Sequence, residues 1–384
     1  MKEYDVVIIG AGLAGLRCAK ILALHGAKVL LVDRKQTLDE GVHTTGIFVR
    51  RALEDFALPD DCLGPAVRNV SLYSPRRKVL NLESKHDEFR VGKMAKMYKR
   101  FLNDCMSVGV IWSPSTKFIE AKDSIVKLET AGEVWSVKAR VVVGADGAQS
   151  RVAKSLNLDQ NREWIVGVEE VFCGAPLNDE PRFHCFLDTR LAPGYLAWVI
   201  NDGEETHIGV GGYAKNFEPM SALKEFRQSV EGSIVDLRHA TRIEKRGGRI
   251  PVSGVLRQIA NEQGLLIGDA AGAVSPLTAG GLDPCVRLSQ MAAHVIAERL
   301  RTDNAEILKA YSGKLFRARF TSRLWMRKLI AAIGNQALME ASCAFLRSPL
   351  GKKFAEEVFF GRGSFPDVEL ALPKKKEQAQ LIGV

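Results

Sequence analysis

The feature that most constrains this chain lies before residue 34. Val6 to Ile9 is a short apolar run that reads as a buried parallel strand. Gly10-Ala11-Gly12-Leu13-Ala14-Gly15 follows, then a helical pattern from Leu16 to Leu24, then a second apolar run, Val29 to Val32, closed by Asp33. A G-x-G-x-x-G element between strand and helix, with an acid about twenty residues on, is a dinucleotide-binding fingerprint. Gly10 allows the tight turn, Gly12 lets backbone approach a pyrophosphate, and Gly15 lets helix and strand pack closely. The helix start, with Leu13 and Ala14, offers unpaired N–H groups and a positive dipole end to that anion. Asp33 can accept hydrogen bonds from ribose hydroxyls, and Arg34 beside it joins the candidate cofactor contacts.

Composition narrows the class. Hydrophobic residues make up 46% and charged residues 26%, a globular balance. No apolar run approaches the roughly 18 to 20 residues of a membrane span. Acids precede the first apolar run and glycines cut it, which does not match a signal peptide, so a cytoplasmic location is expected. The seven cysteines are odd in number and contain no C-x-x-C, so neither a metal site nor a disulfide frame is expected. A net charge of +9 leaves room for anionic partners.

Two later segments distinguish FAD from NAD. Val141 to Val143 reads as a buried strand followed by Gly144-Ala145-Asp146-Gly147, with Arg151 opening the next helix. Leu265 to Ile267 is another strand, followed by Gly268-Asp269-Ala270-Ala271-Gly272 and then Pro276-Leu277-Thr278-Ala279-Gly280-Gly281-Leu282. With these three marks in order, residues 1 to 300 resemble the flavoprotein superfamily that contains para-hydroxybenzoate hydroxylase. The resemblance implies that Asp269 accepts hydrogen bonds from the flavin ribityl chain. It also implies that Gly280 and Gly281 admit the ring, and that a helix from Leu282 points its N-terminus at the pyrimidine end. Gly46, Asp146, Gly147, Gly268 and Pro276 join the implied cofactor contacts.

Within that superfamily the chain resembles the geranylgeranyl reductase branch. Gly272 replaces the histidine usual in the hydroxylases, and Pro276 to Leu282 reads like the reductases. Ala192 to Ile200 resembles the branch's substrate stretch, with Trp198 at the motif tryptophan. Leu196, Ile200 and Asn201 depart from the pattern, Thr44-Thr45-Gly46-Ile47 lacks a family cysteine, and Met94 stands where arginine is usual. The implied activity is reduction of carbon–carbon double bonds of a geranylgeranyl or polyprenyl substrate by hydride transfer from reduced flavin N5. NAD(P)H or a ferredoxin-type protein is the implied electron donor. An FAD-dependent monooxygenase is the alternative, and a non-catalytic, FAD-stabilised membrane adaptor is a second. Phe183, Phe186, Tyr195, Leu196, Trp198 and Ile200 are expected to line an apolar pocket for the isoprenoid. Tyr195 and His43 are the candidate proton donors, while His184 and His207 read as ordinary strand residues.

The expected fold is α/β: a discontinuous Rossmann-like FAD-binding domain (1–66, 83–160 and 255–300), an antiparallel-sheet substrate domain (67–82 and 161–254), and a C-terminal helical part (301–384). A helix is expected over Phe48 to Phe56, and loose chain over the last ten or so residues. From Gly313 to Lys328 there are six basic residues and no acid, with Phe316, Phe320 and Leu324 on one helical face and Trp325 nearby. This segment reads either as a peripheral contact with an anionic membrane on its inner face, or as a helix packed on the FAD domain. No nucleic-acid module is visible.

Overall fold

A computed structural model describes residues 1–361 apart from 179, 216 and 319. Arg319 and the tail expected to be loose, with Lys374 to Lys376, lie outside the described residues.

The chain opens with β1 (Lys2–Ile9), α1 (Leu13–Leu24) and β2 (Val29–Val32), and the two strands pair in parallel. There follow β3 (Ile47–Val49), α2 (Arg50–Asp55), β4 (Leu63–Val67), β5 (Asn69–Tyr73), β6 (Val79–Glu83), β7 (Phe89–Gly92), α3 (Met94–Ser107) and β8 (Ile111–Ser113). β9 (Thr116–Lys122), β10 (Ile125–Thr130) and β11 (Glu133–Gly144) make an antiparallel meander, which leads into α4 (Arg151–Ser155). The middle holds β12 (Trp164–Cys173), β13 (Arg182–Phe186), β14 (Ala197–Asn201), β15 (Glu205–Gly212), α5 (Pro219–Val230) and β16 (Thr241–Pro251). β17 (Gly264–Leu266) and α6 (Leu282–Thr302) come next, then α7 (Gly313–Ala318), α8 (Thr321–Ala332), α9 (Gln336–Leu346) and α10 (Pro349–Phe360).

One seven-stranded sheet runs β8-β2-β1-β11-β10-β9, with β17 parallel to the end of β11. Residues 6–9 of β1, 141–144 of β11, and all of β2 and β17 are apolar runs buried on both faces, because helices cover the sheet. From β1 the chain runs to β2 on one side and later to β11 on the other. Its carboxyl end is therefore a topological switch point, where open α/β sheets bind ligands.

The second seven-stranded sheet runs β16-β12-β15-β14-β13-β5-β6, so the 67–82 hairpin joins the middle strands as expected. Strand alternation sends Ala197, Val199, Ile208 and Val210 to one face, where they pack on Leu223, Phe226 and Val230 of α5. The opposite face turns towards the first sheet. A small sheet, β3-β7-β4, bridges the two.

Two local expectations change. The helix expected from Phe48 begins only at Arg50, because Ile47–Val49 pairs with β7 and places Phe48 in the core. The basic segment is not a free amphipathic helix. It breaks between α7 and α8, and Phe316 and Phe320 are fully buried in the FAD-side core. Arg317 donates to the Ser253 and Val255 carbonyls, and Arg323 and Arg327 are buried. Among the described residues no helix is long and apolar enough to cross a membrane. Six of the seven cysteines are buried and none is paired.

Candidate active site

The carboxyl ends of β1, β2, β11 and β17 open onto one cavity of about 1660 Å³. Gly10 turns there with φ +106, and a methyl on it would sit 2.2 Å from the Ala145 carbonyl. A methyl on Gly15 would meet the Gly10 carbonyl at 1.9 Å, so α1 lies against the turn. Gly15 and Pro276 do not themselves line the cavity: Gly15 packs inward, and Pro276 faces Gly254. A methyl on Gly12 would meet nothing within 4 Å, so the space before it is open. Gly12 caps α1 without a side-chain hydrogen bond, leaving the N–H groups around Leu13 and Ala14 for a ligand. Asp33 takes the Ala11 N–H at 2.7 Å and the Lys35 N–H at 2.9 Å, which fixes its carboxylate beside the turn. Arg34, Gly147 and Arg151 line the same end.

Asp146 also serves as a cap. Its carboxylate accepts from Ser150 Oγ (2.6 Å), Arg151 N (2.7 Å) and Val152 N (3.1 Å), so it fastens the start of α4. It lines the cavity, but those three donors engage its oxygens. Asp269 differs. Burial pushes its carboxyl up to about 6, and it faces the cavity beside Gly281. Gly281 caps α6 without a side-chain bond, and Gly280, Gly281 and Leu282 line the wall. Across from them Gly46 has φ +87 and rests on Met94, whose Cγ would lie 2.6 Å from an added methyl.

The cavity continues without a break to an apolar end. Leu72, Phe89, Phe183, Leu196 and Trp198 line it from the sheets, and Met326, Ile330, Met339 and Phe359 from α8, α9 and α10. Phe186 and Ile200 do not line it. Phe186 points to the α5 face, stacked on Tyr73 and edge-to-face with Phe226, and Ile200 packs behind Trp198 against Val91. Leu329, Phe345 and Phe354 line the cavity and are also about half exposed or more (67%, 54% and 48%).

Both expected proton donors line the cavity. The Tyr195 hydroxyl donates to the Thr278 carbonyl at 2.6 Å, and burial raises its pKa. It ties the sheet to the loop before α6. His43 is exposed at the nucleotide end, where desolvation and then Lys35 and Arg34 lower its pKa.

A buried acid that sequence reasoning missed is Glu169. One carboxylate oxygen accepts from Thr45 Oγ at 2.6 Å and Trp198 Nε1 at 3.2 Å. The other accepts from His207 Nδ1 and Arg246 Nη1, both at 3.3 Å. His207 Nε2 lies 3.7 Å from Asp202 Oδ2. Burial opposes the charged imidazole, but Asp202 and then Glu169 outweigh it and raise His207 to about 9. His207, the Arg246 charge and the Thr45 hydroxyl hold Glu169 below its ordinary range despite burial. Asp202, Glu205 and His207 bring ligand-type atoms within 4.8 Å of one another. Asp202 and His207 stand here as a carboxylate–imidazole ion pair. The available signal was Glu169-Glu170 inside an apolar strand. One acid must face each side and find cations there, and Glu170 pairs with Arg227 and Arg242.

The cavity exceeds an ordinary small-molecule pocket of about 300–1,000 Å³, so a dinucleotide and a second ligand fit together. Such a fold and crevice define an FAD-dependent oxidoreductase. Residues 118–325 match the family model described as FAD binding domain, and residues 5–175 match one described as lycopene cyclase protein. The digeranylgeranylglycerophospholipid reductase of Methanocaldococcus jannaschii is 27% identical over 92% of this chain and 94% of its own length. Digeranylgeranylglycerophospholipid reductase 1 of Methanopyrus kandleri is 30% identical over 81% of this chain and 86% of its own. The crystal structure of a geranylgeranyl bacteriochlorophyll reductase-like protein from Thermoplasma acidophilum superposes with a TM-score of 0.82 at 20% identity, covering 94% of this chain and 98% of that one. The chain belongs to the geranylgeranyl reductase family of FAD-dependent oxidoreductases, and it is an FAD-dependent reductase.

Proposed function

We propose that this enzyme saturates isolated carbon–carbon double bonds in the prenyl chains of a polyprenyl lipid. The observation that carries the reading is the single cavity, which runs from the dinucleotide turns to an apolar end with exposed apolar side chains at its rim. The names of the relatives support the same substrate class.

In this reading the α1 N-terminus holds the FAD pyrophosphate, Asp33 and Arg34 hold the adenosine side, and Asp269 takes the ribityl hydroxyls. Gly46, Gly280 and Gly281 leave room for the ring. Reduced FAD, when bound, supplies two electrons and one hydrogen to an alkene carbon. Phe183, Leu196 and Trp198 orient the prenyl chain and exclude water. The α6 N-terminus presents a positive dipole end to negative charge developing nearby.

Trp325, Leu329, Leu338, Phe345, Leu350 and Phe354 are exposed on α8 to α10, with Lys328, Lys352 and Lys353 on the same helices. Apolar side chains mixed with lysines suit contact with an anionic bilayer. This replaces the Phe316–Phe320 face expected from the sequence.

The test is anaerobic. The FAD-loaded protein is reduced with dithionite, freed of excess and mixed with a digeranylgeranylglycerophospholipid. Reoxidation of the flavin together with a mass gain of two hydrogens in the lipid is expected. Flavin that stays reduced until oxygen enters refutes the reading.

A further inference from the structure

Alkene saturation takes one hydrogen from the flavin and one proton from elsewhere, and the apolar end of the cavity excludes bulk water. We propose that Thr45, Glu169 and His207 form a buried proton conduit, which ends in the cavity at the Thr45 hydroxyl and delivers the proton that the reduction consumes. The conduit rests on the alkene-reduction reading above.

The contacts are continuous. Thr45 Oγ meets Glu169 Oε2 at 2.6 Å, and Glu169 Oε1 meets His207 Nδ1 at 3.3 Å. Thr45 and Glu169 line the cavity, whereas His207 and Asp202 do not. Glu169 and His207 are almost wholly enclosed, at 3% and 1% exposure. Asp202 is fixed by the Glu204 and Glu205 N–H groups at 2.9 and 2.6 Å, with its carboxylate 3.7 Å from the far side of the imidazole. The charged groups acting on His207 are Glu169 on the neighbouring strand β12, Asp202 and Glu205 at the turn, and Arg246 on β16. Arg246 is itself shared with Glu244 at 2.7 Å. Two close carboxylates against one shared guanidinium keep the imidazole charged, at a pKa of about 9, so it carries a proton at neutral pH.

The step balances. The Thr45 hydroxyl turns from Glu169 towards the alkene, and its O–H bond breaks as the C–H bond forms. Thr45 Oγ takes a proton through Glu169, and Glu169 takes one from His207 Nδ1. Threonine and carboxylate return to their starting forms and the imidazole is left neutral. It regains a proton from solvent at the Asp202 turn, where Gly203 and Glu204 are exposed. The electrons and the other hydrogen come from reduced FAD. Thr45 is thus the catalytic residue, and Glu169 and His207 are positioning residues that act through it.

The test uses the FAD-loaded, dithionite-reduced protein with a digeranylgeranylglycerophospholipid. T45V should slow flavin reoxidation by about 100-fold or more, with FAD content and dithionite reduction unchanged. T45S should retain most of the rate, which separates a hydroxyl role from a packing role. The wild-type rate should fall as pH rises through the His207 titration, and H207Q should lack that limb. A readout independent of turnover is His207 itself: its ¹³Cε1 resonance in the oxidised, FAD-loaded protein should titrate near 9, and lower in E169Q. Wild-type turnover with an unaffected T45V overturns the conduit alone, as does a His207 titration that E169Q leaves in place. A wild-type flavin that no prenyl lipid reoxidises overturns the substrate reading and the conduit with it. Should E169Q fail to fold, the T45V and T45S pair still decides.

Discussion

Lowering the pH from about 7 to about 5 should weaken FAD binding roughly tenfold through Asp269. Burial alone lifts that carboxyl from 3.8 to about 6 in the protein without cofactor. Ribityl hydroxyls donate to the ionised form, so bound FAD pulls the pKa back down. Above about 6 the carboxylate is ready to accept them. One unit below, about ten of every eleven molecules must first lose a proton, which costs about 1.4 kcal/mol of binding energy. The sign is that of a group whose bound-state pKa is the lower one: affinity is complete above the free value and declines as pH falls through it. The assay titrates free FAD with apoprotein and follows quenching of flavin fluorescence at several pH values. D269N should bind more weakly at neutral pH and lose the dependence. A flat wild-type profile, or the same slope in D269N, would show that Asp269 does not take the ribityl chain.

Other outcomes follow from single contacts. G15A drives a methyl to 1.9 Å from the Gly10 carbonyl, so it should cost about 1–3 kcal/mol of stability, read as a lower urea midpoint, and reduce bound flavin. Y195F leaves the Thr278 carbonyl without its donor, at a cost of about 1 kcal/mol. Its turnover should barely change, whereas a proton donor's loss would cost about 100-fold or more. His207 has a folded-state pKa of about 9 against 6.5, so it contributes about 3 kcal/mol of stability. That contribution is fully present below 6.5 and lost as pH rises through about 9, so the denaturation-midpoint difference between wild type and H207Q should shrink across that window. W325A removes a 64%-exposed indole and should weaken sedimentation with anionic vesicles by about tenfold, from about 1.5 kcal/mol of lost burial.

The nucleotide end of the site was legible because its logic is local. Gly10, Gly12, Gly15 and Asp33 form one continuous unit, and the Asp269 and Gly281 turns each sit in a few residues after a strand. The substrate end was not, because it depends on which side of a strand faces which sheet. Phe183 and Phe186 are both aromatic residues of β13, and only the pairing of β13 with β5 and β14 decides that one faces the cavity and the other α5. Glu169 and His207 are 38 residues apart and meet only because β12 pairs with β15. The C-terminal helices showed their periodicity, yet Phe316 and Phe320 face inward for a reason held elsewhere in the chain: the FAD-side core needs them.

β11 is shared along one edge by β10 and by β17, which arrives only at Gly264–Leu266. α6, which packs on α1, is later still. As the chain leaves the ribosome, β1, β2 and β11 can pair early, but Val142 to Gly144 keep an open strand edge and α1 keeps an uncovered apolar side. At about 5–20 residues per second, that half-built state lasts on the order of ten seconds. During that time the nascent chain offers a ready surface to other chains and to chaperones. FAD cannot shorten the wait, because Asp269 and Gly281 belong to the part still being made.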